Sequence, residues 1–256
     1  LTDFLAAVAD PAVPFIRYAL LAGLLSSIAF GMIGSYVVVK RMSYIVGAVS
    51  HVALGGIGAV IYINEKMGTG ISPITGALAA AVLAALLISL VEIYGNERKD
   101  SVIGAVWAVG MSVGIICIAL SGSYADPMSY LFGNILLLSG KDLLIIAVLD
   151  MIVVFVVIRY YNLLKGVSFD ETFAGVRGIN TVFFNILLNI LIALTVVLMV
   201  SFVGVIMALA FLTIPAATAG TAVKRLSHMM TAATLLCAFF SSAGLFLSYS
   251  FNLPNG

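Results

Sequence analysis

The stretch Lys40-Arg41-Met42-Ser43-Tyr44-Ile45-Val46-Gly47-Ala48-Val49-Ser50-His51-Val52-Ala53-Leu54-Gly55-Gly56-Ile57-Gly58 decides how the chain is read. Two cations open it, and an apolar helical run then carries a single imidazole to lipid depth. Gly47, His51, Gly55 and Gly58 recur at spacings of four, four and three, which places them on one helical face. A face of glycines lets a neighbouring helix approach closely and puts the histidine in the seam rather than against lipid. His51 stands about nine residues into its span, near mid-bilayer at a rise of about 1.5 Å per residue. An ionisable group at that depth is costly, so its default reading is functional.

The rest of the chain has the same character. Of its 256 residues 63% are hydrophobic and only 9% charged, too few polar residues to cover a soluble domain. Apolar runs long enough to span a bilayer recur throughout. The fold class is therefore all-α: a polytopic transmembrane helical bundle, with the lipid bilayer as its solvent. A net charge of +1 excludes a global field for nucleic acid. Cys117 and Cys237 lie in separate apolar runs without metal-ligand spacing and read as small core residues.

About eight spans are expected, at 15–39, 43–64, 71–94, 101–121, 141–163, 181–200, 203–222 and 228–250, in a single domain covering 1–256. Residues 1–14 read as an external lead-in, without the basic region of a signal peptide. Segments 164–180 and 215–228 read as cytoplasmic and 122–140 as external. The assignment of sides follows the cations. Lys40, Arg41, Arg98, Lys99, Arg159, Lys165, Arg177, Lys224 and Arg225 fall on one side, and only Arg17, Lys66 and Lys141 on the other, so the first set faces the cytoplasm. Tyrosines and Trp107 near span ends fit interfacial anchoring. Gly110 and Gly114 form a GxxxG pair in the fourth span.

Several stretches resemble one family in the same order. They are Gly34-Ser35-Tyr36-Val37-Val38-Val39-Lys40-Arg41-Met42-Ser43-Tyr44, Ser50-His51, Asp126-Pro127-Met128-Ser129-Tyr130-Leu131-Phe132-Gly133-Asn134, Ser201-Phe202-Val203-Gly204 and Leu212-Thr213-Ile214-Pro215-Ala216-Ala217-Thr218-Ala219. From Gly23 onward the chain resembles the integral-membrane permeases of ABC transporters that import zinc, manganese or iron. The resemblance implies a type II, vitamin-B12-importer-like architecture in a prokaryotic plasma membrane, with a homodimer enclosing a central pathway. It also implies cytoplasmic ATPase subunits and an extracytoplasmic substrate-binding protein as partners. The divalent metal ion is cargo, and no permanently bound cofactor is expected. The family usually has a further C-terminal span, so the opening Leu1 and the turn-like Pro254-Asn255-Gly256 read as ends cut short. The family commonly has an aspartate four residues before the histidine and a proline where Gly55 stands. Here the first of these positions is Gly47.

The candidate site residues follow. His51 offers a ring nitrogen to a divalent cation. Asp150 is the only carboxylate deep within a span. It is a candidate to replace the missing aspartate, against the alternative of a protonated acid bonded to a neighbouring helix. Glu92 is expected to snorkel towards Arg98 or Lys99, and Asn185 and Asn189, one turn apart, to bond across helices. Two cytoplasmic segments are candidates for ATPase coupling. One carries Asp170 and Glu171, with Ser168 and Glu171 as a capping box. The other carries Pro215, Ala216, Thr218, Lys224 and Arg225, with short helices expected after the proline. His228 is given no metal role. No Gly-x4-Gly-Lys-Ser/Thr motif is present, so ATP hydrolysis is expected on a separate chain, and the chain is read as no enzyme itself. Two other readings stay open: a permease for a larger cargo such as a metal chelate or cobalamin-like compound, and an ion-coupled secondary transporter using Asp150.

Overall fold

A computed structural model describes residues 14–94, 99–123, 140–200 and 204–251. Ten helices run through these segments: α1 Pro14–Val39, α2 Ser43–Met67, α3 Pro73–Tyr94, α4 Lys99–Ser121, α5 Gly140–Arg159, α6 Tyr161–Phe169, α7 Glu171–Val176, α8 Thr181–Val200, α9 Val205–Ala222 and α10 Leu226–Phe251. Six of them (α1 to α4, α8 and α10) are long and apolar enough to cross a membrane alone, and α5 with α6 makes a bent seventh. With the shorter α9, each of the eight expected spans contains a helix. The lead-in 1–13, most of the external segment, Arg98, 201–203 and 252–256 lie outside the described residues.

The cations at 40 and 41 mark a real break. Val39 ends α1, Arg41 takes a left-handed φ of 56°, and Met42 N–H returns to Val37 O at 2.9 Å. Such a conformation is costly for a residue with a Cβ, and here it falls in the three-residue break between α1 and α2. At the far end Gly68 closes α2 in the left-handed region, donating to Asn64 O. The Asn64 side chain then fastens the turn into α3, accepting from Ile71 N–H and Thr69 Oγ1 and donating to Ile71 O.

α2 is the central helix. It packs against α3 and α4 and, across its other side, against α8 and α9. α1 packs on α10, α9 and α5. Glycines bring the backbones together: a Cβ on Gly55 would stand 2.6 Å from Gly110 O, nearer than any real contact. Gly58 meets Gly114, and Gly56 meets Gly76 on α3, in the same way. Without a hydrophobic gain between lipid-bathed helices, such close packing is what holds them.

Three expectations need correction. The fifth span ends at Arg159 rather than near 163, and α6 turns away by 74°. Pro215 does not break its helix into short pieces, because α9 continues through it to Ala222. A proline leaves the carbonyl four residues back without its amide donor. That carbonyl is Phe211 O, and the Cys237 thiol of α10 donates to it at 3.7 Å. Finally, the cap of α7 is Asp170, whose Oδ1 accepts from Phe173 N–H at 2.8 Å. Ser168 lies one position inside the end of α6 and makes no capping bond.

Candidate functional site

His51 projects from the face of α2 that receives α4. Its Nδ1 lies 2.8 Å from Gly47 O. A carbonyl can only accept, so Nδ1 carries a proton, and in the neutral imidazole Nε2 keeps its lone pair. The imidazole lies against the indole of Trp107, with ring centroids 4.4 Å apart and planes tilted by 31°. The same indole fills the space beside Gly47, where a Cβ would come 3.0 Å from Trp107 Cζ3. Gly47 therefore seats a ring, while Gly55 and Gly58 seat backbone.

This arrangement has a signal in the sequence. Trp107, Gly110 and Gly114 recur at three and four on α4, so they share one face. By the cation bias α2 and α4 run in the same direction, and their register pairs His51 with Trp107, Gly55 with Gly110 and Gly58 with Gly114. Trp107 thus has a partner besides any interfacial role. Gly110-Met111-Ser112-Val113-Gly114 also spells the Gly-x-Ser-x-Gly of hydrolase nucleophiles. It lies inside a helix rather than on a strand-to-helix turn, and its glycines serve packing.

Asp150 is 6% exposed and is not brought to His51. Its Oδ1 accepts from Ala29 N–H of α1 at 3.3 Å. α5 packs on α1 and α8, whereas α2 packs on α3, α4, α8 and α9. Among the described residues no three His, Cys, Asp or Glu side chains gather closely enough to hold a metal.

A second polar region lies around Lys40 and Glu92. Lys40 Nζ donates to Asn185 Oδ1 at 2.5 Å, and Asn185 Nδ2 donates to Glu171 Oε1 at 2.7 Å. One turn on, Asn189 Nδ2 donates to Ser89 Oγ at 2.9 Å and Glu92 Oε2 at 3.2 Å. These residues tie α1, α3, α7 and α8 together. Lys40, Ser89, Glu92, Glu171 and Asn185 line a cavity of about 340 Å³. The paired asparagines do bond across helices, and Glu92 points inward to one of them. Glu171 belongs to this network as well as to the start of α7.

The other coupling candidates separate by burial. Pro215 and Ala216 are buried in α9, whereas Thr218, Lys224 and Arg225 are exposed near its C-terminal end and in the short link to α10. Asp170 and Glu171 are exposed too. Phe169, Phe173 and Val176 beside them present apolar surface, with Arg177 stacked on Phe173 at 4.7 Å.

Comparisons with known proteins agree over nearly the whole chain. The profile of the ABC 3 transport family matches residues 12–256. A probable metal transport system membrane protein of Chlamydia trachomatis serovar D is 36% identical over 244 residues, covering 95% of this chain and 83% of the relative. The manganese transport system membrane protein MntC of Listeria monocytogenes is 33% identical, covering 94% of this chain and 84% of the relative. Among solved structures, PsaBC from Streptococcus pneumoniae in complex with Fab superposes with a TM-score of 0.87 at 29% identity, covering all of this chain and 89% of the other.

Proposed function

The chain belongs to the ABC 3 transport family, and we propose that it is the membrane permease subunit of an ATP-driven importer of a divalent metal ion. The observation that carries the metal chemistry is His51, whose Nε2 lone pair is set at mid-span depth beside the α2–α4 seam. The names borne by its relatives supply the cargo class: a metal ion, manganese in the case of MntC. A second copy of the chain completes the pathway, and an extracytoplasmic binding protein delivers the ion. Two ATPase subunits on the cytoplasmic face drive alternating access. A translocation site of this kind uses few ligands, because a closed cage of donors holds its ion too tightly to release it. One imidazole nitrogen meets that requirement.

The ATPase contacts are assigned to Thr218, Lys224 and Arg225, exposed beyond the buried Pro215 and Ala216, and to α6–α7 around Asp170 and Glu171. The hydrogen bond from Asn185 to Glu171 and that from Lys40 to Asn185 give α7 a direct mechanical link to α8 and α1. Movement at an ATPase docked there reaches the spans through these groups. The room that glycine at 47 would give a larger cargo is occupied by Trp107, which favours a bare ion over a chelate.

The test is uptake into vesicles holding the permease with its copurified ATPase and binding protein, with zinc, manganese, iron and a chelate measured in parallel. His51→Ala is expected to lower metal uptake by about ten- to a hundredfold while the complex still assembles. Unchanged uptake in that variant would remove His51 from the pathway.

A further inference from the structure

On a helix, the position four residues before a ligand is where a second ligand most readily joins it, because the two side chains stand one above the other. For His51 that position is Gly47. The glycine leaves no donor there, and Trp107 takes up the space. Any side chain at 47 would start 3.0 Å from Cζ3 and 3.4 Å from Cη2 of the indole. The same ring, 4.4 Å from the imidazole, covers one face of His51. The remaining carboxylate deep in a span, Asp150, is engaged with α1.

From this we infer that Gly47 and Trp107 together determine specificity: the glycine supplies no carboxylate to the ion bound at His51, and the ring fills the space that one would need. A lone imidazole suits zinc and ferrous iron, whereas manganese depends on oxygen donors and stands lowest among the first-row divalent ions for nitrogen ligands. The Gly47–Trp107 pair therefore biases this permease towards zinc or ferrous iron and against manganese. The inference rests on His51 being a cargo ligand, as proposed above, and extends that reading to the choice of ion.

The experiment compares the purified full-length chain in nanodiscs with His51→Ala, Gly47→Asp, Trp107→Ala and the double variant G47D/W107A. Manganese binding is followed by paramagnetic resonance of the free ion, with zinc as competitor. Wild type is expected to bind zinc at least about tenfold more tightly than manganese. Either single change at 47 or 107 is expected to move that ratio by less than about threefold, since one adds a carboxylate with no room and the other adds room with no carboxylate. The double variant is expected to shift the ratio towards manganese by about tenfold or more.

A full shift from Gly47→Asp alone would overturn the inference, because the ring would then not be what excludes the ligand. An unchanged ratio in the double variant would overturn it too, provided His51→Ala still abolishes binding. If His51→Ala leaves binding intact, the assignment of His51 itself fails, which is a distinct result. Should Trp107→Ala not fold, G47D/W107L poses the same question with an aliphatic side chain filling part of the space. A further measurement uses the fact that the chain has one tryptophan, so its fluorescence reports on this site alone. Zinc is expected to change the emission of wild type but not of His51→Ala, and a zinc response that survives His51→Ala would count against the site.

Discussion

The seam between α2 and α4 and the polar cluster around Lys40 and Glu92 are built on opposite principles. At the seam the backbones touch: Gly55 lies on Gly110 and Gly58 on Gly114, with the His51 imidazole against the Trp107 indole one turn away. In the polar cluster the helices are joined by side chains, through Lys40 to Asn185 to Glu171 and through Asn189 to Ser89 and Glu92, around a cavity of about 340 Å³. Backbone contact tolerates no added atoms and permits little relative movement. Side-chain links can lengthen, exchange partners or take up water, so they suit a place where helices must separate. The difference bears on where motion can enter: backbone contact leaves α2 and α4 little room to shift against each other, whereas the side-chain links among α1, α3, α7 and α8 can rearrange.

The largest expected effect comes from violating the seam. Gly55→Val pushes atoms into Gly110 O from a starting point of 2.6 Å. The helices must separate along their length, costing about 3 kcal/mol by the overpacking scale. Thermal unfolding of the purified chain should show a large drop, or the folded material should vanish. Gly104, also on α4, is the internal control, because a Cβ there would meet nothing within 4 Å. Gly104→Ala is expected to be neutral, or to stabilise by up to about 1 kcal/mol through helix propensity. Equal losses at both positions would refute the picture of a rigid seam.

An intermediate effect is expected at the polar cluster. Asn189 is fully buried, and Asn189→Ala removes a donor from both Ser89 and Glu92. The loss should be about 1 to 2 kcal/mol, the usual cost of leaving buried acceptors short of a partner. Combined with Glu92→Gln, it should show a coupling of about 1 kcal/mol in a double-mutant cycle. Additive losses would mean that the two side chains do not act together.

What could be read from the sequence, and what could not, follows the same division. Spacing within one helix was enough to place Gly55 and Gly58 on a contact face, because helical geometry fixes which residues share a side. Apolar runs located the spans, and cations their ends. The bend at Tyr160 has no proline or glycine to announce it; it shows only in the change from the lipid-facing α5 to the surface helix α6. Pro215 was misleading because propensity describes a helix alone, while here the Cys237 thiol of another helix meets the carbonyl that the proline leaves free. Cys237 looked like filler for the same reason. The meeting of Trp107 with His51 depends on how two helices are rotated and registered. The face shared by Trp107, Gly110 and Gly114 held that information, but it became legible only once α4 was paired with α2. Asp150 and His51 match in depth along their helices, yet depth says nothing of azimuth, and α5 and α2 share α8 as a neighbour without packing on each other.

The smallest effect is expected at Asp150, and it sharpens the contrast between a group that anchors and one that carries. Its bond from Ala29 N–H is 3.3 Å long, at the weak end of the N–H···O range. An N–H inside a helix already has its own acceptor four residues back, so α1 depends little on this contact. Asparagine keeps an oxygen in the same place and the same volume. Asp150→Asn should therefore change stability by less than about 0.5 kcal/mol and leave uptake and the zinc-to-manganese ratio where they were. A carboxylate that bound the passing ion would behave otherwise, because an amide oxygen is a far poorer ligand and uptake would fall by about tenfold or more. Measuring uptake and thermal stability on the same preparation separates the two roles. A fall in uptake without a fall in stability would place Asp150 on the ion's route, approached from a side of α5 that α1 does not cover.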